Sequence, residues 1–146
     1  MKIAVGYDPN AKDFKTELVS YIEGLGHEVV DYGGDDPIYA NTAIAVATDV
    51  AAGKCERGVL ICGTGIGVSI AANKVKGAYA ALVSNIYQAQ RAQLSNNANI
   101  ITLGAQVTGI ELAKCFVKEY LSLSYDPSGR SAPKVGRITE YERETL

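Results

Sequence analysis

The chain of 146 residues has little of several residue types on which common protein architectures depend. Its three cysteines are an odd number without CxxC spacing, so we expect no disulfide framework or zinc knuckle, and a reducing cytoplasm is the simpler location. No apolar run approaches the length of a membrane span and no signal-type segment follows Met1, so we expect neither export nor membrane insertion. A single histidine excludes a His-rich metal site, and neither a metal nor a cofactor is expected.

Acidic residues are absent from residue 57 to residue 110, although the whole chain has a formal net charge of -2. That net charge argues against a nucleic-acid-binding surface, which normally shows a basic excess. The acid-free segment contains Arg57, Lys74, Lys76 and Arg91, which together favour the binding of an anion. A polar-poor core that lacks acids by chance explains the same gap, and charge alone leaves both explanations open.

Short apolar runs rich in Val and Ile alternate with longer amphipathic stretches along the chain. This alternation predicts a βα repeat, and hence a parallel sheet with helices on both faces. The predicted fold class is α/β: one doubly wound, Rossmann-like, three-layer αβα domain over residues 1–146 with a parallel five-stranded sheet. Strands are predicted over residues 2–6, 28–32, 58–62, 79–83 and 99–103, and helices over residues 11–25, 40–52, 66–74, 86–94 and 109–122.

Residues 125–146 form a tail of different composition. The prolines and glycines of residues 125–136 predict an extended loop, followed by a short polar helix over residues 138–144. The loop region carries Arg130, Lys134 and Arg137. We expect this tail to dock on a partner subunit, although a frayed terminus explains the same composition.

The most specific local pattern is the run VLICGTGIGVS over residues 59–69, in which a buried strand leads into alternating glycines and then a helix. Such a turn presents backbone N–H groups at the carboxyl end of a parallel strand and forms a concave site for negative charge. A dinucleotide site is not expected, because the spacing is GxGxG rather than GxGxxG and no acid follows about 20 residues later. A Walker-type phosphate loop is not expected either, because the GK[ST] ending is missing.

Cys62 opens this turn, where the amides and the helix dipole favour a thiolate able to act as a base. A small buried thiol without chemistry is the alternative, which we also assign to Cys55 and Cys115. His27 precedes the second strand, at the sheet edge opposite the ligand-binding edge, so Ser-His-Asp and Cys-His schemes lack their base. Asp8 follows the first strand and either binds substrate hydroxyls or caps the next helix.

Three segments are similar to the ribose-5-phosphate isomerase B and galactose-6-phosphate isomerase family: ICGTGIGVSIAANKVKG over residues 61–77, the opening MKIAVGYD and the later NNANIITLGAQ. The resemblance covers nearly the whole chain. It implies an aldose-ketose isomerase without a cofactor, which moves a proton between C1 and C2 of an open-chain sugar phosphate. It also implies that Cys62 is the base, with Thr64 as a second catalytic residue. The anion hole for the enediolate would be formed by Gly63, Gly65, Ile66 and Gly67.

Departures from the family's pattern bear on the substrate. Where the family usually reads Asp-His after the first strand, the chain reads Asp8-Pro9. Where the family often has a histidine before its asparagines, the chain has Ser95, and Gln106 stands where LGAR would place an arginine. The usual ring-opening histidine is therefore missing, and one phosphate contact is lost.

The resemblance implies where the remaining substrate contacts lie. The substrate-binding residues would be Asp8, Ser95, Asn96 and Asn97, and the phosphate-binding residues would be Arg130 and Arg137. In the family the arginine-bearing tail reaches the partner subunit's phosphate site. A homodimer or homotetramer with shared active sites is therefore expected, with neither nucleic acid nor membrane as a partner.

The sequence leaves several substrates open. The family resemblance by itself favours ribose 5-phosphate. A four-carbon sugar 4-phosphate has its O4 esterified, cannot close a furanose ring and needs no ring-opening histidine, which favours a tetrose or tetrulose 4-phosphate. A galactose-6-phosphate isomerase subunit beside a histidine-bearing paralogue, and a non-catalytic subunit that only binds a phosphosugar, are the further alternatives. A nucleotide-binding domain is disfavoured by the missing acid and the missing Walker lysine.

Overall fold

A computed structural model describes residues 1–145 and contains a five-stranded sheet in which every pair of neighbouring strands is parallel. Leu146, the last residue of the predicted tail, lies outside the described residues. The strands are β1 (Lys2–Tyr7), β2 (Glu28–Asp31), β3 (Arg57–Cys62), β4 (Ala80–Leu82) and β5 (Ile100–Gly104). Their order in the sheet is β2-β1-β3-β5-β4. The predicted α/β fold class and all five predicted strands are confirmed.

Helices cover both faces of this sheet and complete three layers. The helices are α1 (Lys12–Gly24), α2 (Tyr39–Ala51), α3 (Ile66–Ala72), α4 (Ile86–Leu94), α5 (Ile110–Ser122) and α6 (Ala132–Thr145). The apolar faces of α1, α4 and α5 pack together on one side, and those of α2 and α3 pack on the other. Within residues 1–145, none of these helices is long and apolar enough to cross a membrane.

The chain reverses its direction of winding between β1 and β3, the two central neighbours. From β1 the chain passes through α1 to β2 at one edge, whereas from β3 it passes through α3 to β4 at the other. The loops after β1 and β3 therefore diverge and leave a crevice at the carboxyl edge of the sheet. Ligands of doubly wound folds bind at such a point.

Arg57 fastens the end of α5 to the start of β3. Its Nη1 donates to the carbonyl of Tyr120 and its Nη2 to the carbonyl of Leu123, each at a distance of 2.6 Å. The guanidinium also lies 5.0 Å from the centre of the Tyr120 ring. The last carbonyls of a helix have no N–H donor within the helix. The guanidinium of Arg57 therefore supplies the missing donors at the carboxyl end of α5.

The tail differs from its prediction. The extended loop predicted up to residue 136 is wrong beyond residue 131, because α6 already begins at Ala132. Pro133 lies in the first turn of this helix, where its missing N–H leaves no hydrogen bond unmade. Glu142 of α6 accepts hydrogen bonds from the amide of Gly77 at 2.9 Å and the hydroxyl of Tyr79 at 3.1 Å. This part of the tail therefore packs on its own subunit.

Candidate active site

The turn after β3 folds its backbone around the sulfur of Cys62. The amide of Gly65 donates a hydrogen bond to Cys62 Sγ at a distance of 3.1 Å. Gly65 has a φ of +81°, in the left-handed region that favours glycine. Thr64 Oγ1 accepts a hydrogen bond from the amide of Ile66 at 3.2 Å and closes the turn. The predicted site residues that this turn brings together are Cys62, Gly63, Thr64, Gly65, Ile66 and Gly67.

The end of β5 fixes the shape of this turn. The fully buried Thr102 donates a hydrogen bond from Oγ1 to the carbonyl of Gly65 at 2.9 Å. A Cβ added to Gly104 would lie 2.6 Å from the carbonyl carbon of Thr64, and one added to Gly65 would lie 2.9 Å from the carbonyl carbon of Leu103. No side chain fits at either glycine, so close backbone contact holds the turn in place.

Cys62 is only 7% exposed, so its thiol lies just below the surface. Its side chain packs within the apolar layer formed with α2 and α3. The Gly65 amide supplies a fixed hydrogen-bond donor to this sulfur. Among the three cysteines, Cys62 is the one with a backbone donor on its sulfur in the part of the chain that the structure describes.

Two side chains outside the predicted site residues lie over the glycine turn. A Cβ added to Gly67 would overlap the ring of Tyr39, which begins α2 and is 37% exposed. A Cβ added to Gly63 would lie 3.1 Å from Gln106 Oε1. The two glycines therefore make room for a phenol and an amide above the turn. No pattern in the sequence links either pair, because each depends on the tertiary fold.

Asp8 lies beside the same turn, across the crevice between β1 and β3. Its amide donates to the carbonyl of Ile61 at 2.8 Å. Its Oδ1 accepts a hydrogen bond from the amide of Asn10 at 2.9 Å and caps a short 3-10 helix over Pro9–Ala11. Of the two roles left open by the sequence, capping is confirmed. Contact with substrate hydroxyls stays a prediction.

Ser95, Asn96 and Asn97 lie at the other end of the sheet, between the end of α4 and the start of β5. Asn97 has a φ of +51°, a conformation that asparagine tolerates better than most residues with a Cβ. Asn96 lines two cavities, of about 260 Å³ and about 460 Å³, and Asn97 lines the smaller one. The three polar residues therefore border open space at the amino edge of the sheet.

The larger cavity is basic. It is lined by the cations Arg91, Arg130 and Lys134, together with Tyr87, Ser95, Asn96 and Ser131. Within residues 1–145, no carboxylate forms an ion pair with any of these three cations. Their uncompensated charge suits an anion that carries more than one negative charge, such as a phosphate monoester.

Arg137 does not line this cavity. Its guanidinium forms ion pairs with Glu140 at 3.1 Å and Glu144 at 3.6 Å on its own helix. Because α6 begins earlier than predicted, the residue that joins Arg130 in the cavity is Lys134, a turn before Arg137. The structure thus does not bring Arg137 together with Arg130. Its role in phosphate binding stays a prediction, and Lys134 is a phosphate-site candidate that the sequence analysis missed.

The two groups of candidate residues lie at opposite ends of β5. Cys62 pairs with Gly104 at the carboxyl end of that strand, and Ser95 precedes its amino end. From Ile100 to Gly104 the strand rises by roughly 13 Å at about 3.3 Å per residue. The sulfur and the basic cavity of one chain therefore do not face a common small substrate. The structure thus does not bring the two groups together within one chain.

His27 belongs to neither group. Its Nδ1 lies 3.0 Å from the nitrogen of the N-terminal ammonium of Met1, at the start of β1. Burial lowers the pKa of this imidazole, and the ammonium and Arg57 lower it further. In the described residues, no group of three or more His, Cys, Asp or Glu side chains is arranged to hold a metal ion.

Comparison with known proteins supports the family resemblance noted in the sequence. The sequence pattern of the family described as Ribose/Galactose Isomerase matches residues 3–138. The chain is 45% identical to the D-erythrulose-4-phosphate isomerase of Pectobacterium atrosepticum, over 99% of this chain and 97% of that protein. It is 40% identical to the ribose-5-phosphate isomerase B of Escherichia coli, over 97% of each.

A solved structure extends the comparison to three dimensions. The ribose-5-phosphate isomerase B of Clostridium thermocellum has a TM-score of 0.93 to this chain at 40% sequence identity, with all of both chains covered. The resemblance inferred from the glycine turn and its flanking segments is thereby confirmed. The chain belongs to the ribose/galactose isomerase family and is a sugar-phosphate isomerase of the ribose-5-phosphate isomerase B type.

Proposed function

We propose that the chain interconverts a tetrulose 4-phosphate and the corresponding tetrose 4-phosphate. The observation that carries this proposal is the location of its one histidine. His27 is hydrogen-bonded to the N-terminus directly before β2, which is three positions from β5 in the sheet order, so no imidazole borders Ser95. A phosphate on O4 prevents furanose formation, and such a substrate needs no acid to open a ring. A relative that is 45% identical and named as an erythrulose-4-phosphate isomerase supports the same substrate class.

The proposed reaction begins at Cys62. Its thiolate removes a proton from C1 of the ketose, and the released electron pair forms the C1=C2 double bond while the C2 carbonyl oxygen becomes negative. The hydroxyl proton on O1 passes to O2, with the Thr64 hydroxyl as the candidate carrier. Cys62 then returns its proton to C2, and the carbonyl forms at C1. Protons and electrons balance without a redox partner.

The negative oxygen of the enediolate requires fixed donors. The turn around Cys62 offers amides in a conformation held by Thr102 and Gly104, and the amide of Gly67 has no acceptor within its helix. Because α3 spans seven residues, we assign this stabilisation to the amides of the turn rather than to a helix dipole. Gln106 and Tyr39, above the turn, are placed to contact the sugar.

The proposal includes a dimer in which two chains share each site. A substrate held at Cys62 of one chain would place its phosphate in the basic cavity of the partner. The surface around the glycine turn supports this arrangement, because Ile66 and Ile70 of α3 and Leu82 of β4 are 52%, 59% and 41% exposed. An apolar surface of this kind is typical of an interface. A homodimer is the smallest assembly that completes two sites, and a homotetramer would contain two such pairs.

We also propose that the enzyme acts in the cytoplasm. Cys55, Cys62 and Cys115 are free, and Cys115 is exposed. Free and exposed thiols are typical of proteins from reducing compartments.

A panel of sugar phosphates tests the substrate. Purified protein would be assayed with erythrulose 4-phosphate, ribose 5-phosphate and galactose 6-phosphate, and kcat/KM compared. We expect the four-carbon substrate to give the highest value. A kcat/KM for ribose 5-phosphate that equals or exceeds it would overturn the substrate proposal and favour the activity for which the Escherichia coli relative is named. Binding without turnover of any substrate would instead identify a non-catalytic subunit.

A further inference from the structure

The carboxyl end of α4 contains an arginine and a serine that are bonded to each other inside the basic cavity. Arg91 Nε donates a hydrogen bond to Ser95 Oγ at a distance of 2.5 Å, across one helical turn. Both side chains are half-buried, and both line the cavity of about 460 Å³ that contains Arg130 and Lys134.

The hydrogen bond to Ser95 uses one of the five N–H groups of the guanidinium. The two Nη groups make no hydrogen bond or ion pair with another side chain in the part of the chain that the structure describes. Arg91 also lines an adjoining hollow of about 230 Å³ with Asp126, but the Asp126 carboxylate accepts hydrogen bonds from the amide and hydroxyl of Ser128 at 2.9 and 2.7 Å. The planar Nη pair thus has the geometry that a phosphate accepts in bidentate form.

The same contact fixes the direction of the Ser95 hydroxyl. Because the Ser95 oxygen accepts from a cation, its own proton is available to donate to another acceptor in the cavity. Asn96 is the next residue and borders the same space with an exposed amide. One wall of the cavity therefore combines a cation with two neutral donors, whereas the wall formed by the tail residues Arg130 and Lys134 is cationic.

We infer that Arg91 is a substrate-binding residue of the isomerase, with two simultaneous roles. Its Nη groups hold the phosphate together with Arg130 and Lys134, and its Nε orients the Ser95 hydroxyl toward the sugar. This inference rests on the proposed function for the identity of the sugar, but not for the binding of phosphate. A phosphate that is gripped beside Ser95 lies close to the sugar-binding donors, which favours a short carbon chain between the phosphate and the reacting carbons.

Inorganic phosphate is the first probe, because its binding does not depend on which sugar is isomerised. Calorimetry would give the Kd of inorganic phosphate for the wild-type enzyme, Arg91→Gln, Arg91→Lys and Ser95→Ala. We expect Arg91→Gln to raise the Kd at least about tenfold, as for the loss of one charge-assisted pair. Arg91→Lys keeps the charge without the fork and should lie between, and Ser95→Ala should change the Kd by less than about twofold. Lys118→Gln removes an exposed cation of α5 and is the matched control.

Kinetics and thermal stability separate binding from a structural role. We expect Arg91→Gln to raise the KM of every phosphorylated substrate that the enzyme turns over, with kcat changed much less, and Ser95→Ala to raise KM without affecting phosphate affinity. A wild-type enzyme that binds no inorganic phosphate, or an Arg91→Gln variant with a lower Tm and an unchanged Kd, would overturn the inference. If the four-carbon substrate is not preferred but Arg91→Gln still weakens phosphate binding, the substrate proposal fails while this inference stands.

Discussion

The amide of Gly65 lies 3.1 Å from the sulfur of Cys62 and donates a hydrogen bond to it. The residue that bends the turn is thus also the residue whose amide is bonded to the sulfur. The proposed role of Cys62 as the base depends on this donor, because the cysteine is 7% exposed and packed among apolar side chains.

Removal of this sulfur should abolish most of the activity and leave the fold intact. We expect Cys62→Ala to lower kcat by about 10²- to 10⁴-fold, the usual contribution of a positioned general base. Steady-state kinetics and circular dichroism would be measured together. Cys115→Ala, at an exposed cysteine, is the control and should retain full activity. A Cys62→Ala enzyme with more than a tenth of the wild-type kcat would contradict the assignment.

Gly67 and Tyr39 should behave as a coupled pair. An alanine at residue 67 suits a helix but would overlap the Tyr39 ring, so we expect Gly67→Ala to displace the ring and lower kcat/KM about tenfold. In a double-mutant cycle, Gly67→Ala should cost little further activity once Tyr39→Ala is present. Gly24→Ala is the control, because no atom lies within 4 Å of an added Cβ there. Additive effects of the two substitutions would show that the ring does not depend on Gly67.

Subunits with complementary defects should restore activity if two chains share each site. Cys62→Ala lacks the base, and the double variant Arg130→Ala with Lys134→Ala lacks the cations of the cavity. Random co-assembly of equal amounts makes about half of the dimers mixed, each with one intact site, which restores about a quarter of the wild-type sites. Assay of the unseparated mixture measures this quarter, and co-expression with two affinity tags isolates the mixed dimer, which should retain about half of the wild-type activity per dimer. Absence of recovery in that mixed dimer would contradict a shared site.

The fork of Arg57 should contribute to stability rather than to catalysis. It donates to two carbonyls at the end of α5, and we expect Arg57→Met to lower the free energy of unfolding by about 1.5 to 3 kcal/mol. Urea denaturation measures the change, which should shift the midpoint without altering the m-value. Substitution of the exposed Lys118 by Met removes a cation from α5 itself and should hardly change the free energy of unfolding. An equal loss in both variants would assign the effect to net charge.

The alternation of apolar and amphipathic segments was sufficient to predict the sheet and its helices, because each period reflects one face packed against the core. The tail was predicted poorly. Pro133 and Gly136 indicated a loop, yet proline is compatible with the first turn of a helix, and contacts of Glu142 with residues 77 and 79 hold α6 in place. Arg137 was assigned from the family resemblance, whereas the residue that lines the cavity with Arg130 is Lys134.

The glycine turn was predictable because its shape depends on local backbone conformation, which glycine spacing records. The positions of Tyr39 and Gln106 above that turn were not predictable, since each side chain comes from a segment distant in sequence. The bond between Arg91 and Ser95 was in principle visible as an i, i+4 pair. Only the cavity reveals that both residues face the cations of the tail.

The placement of the sulfur and the basic cavity at opposite ends of β5 has a consequence for how the enzyme responds to its own concentration. If only a pair of chains completes a reaction centre, specific activity must fall when the protein is diluted below the dissociation constant of that pair. Synthesis of the enzyme would then raise flux more steeply than in proportion to the number of chains, until pairing is complete.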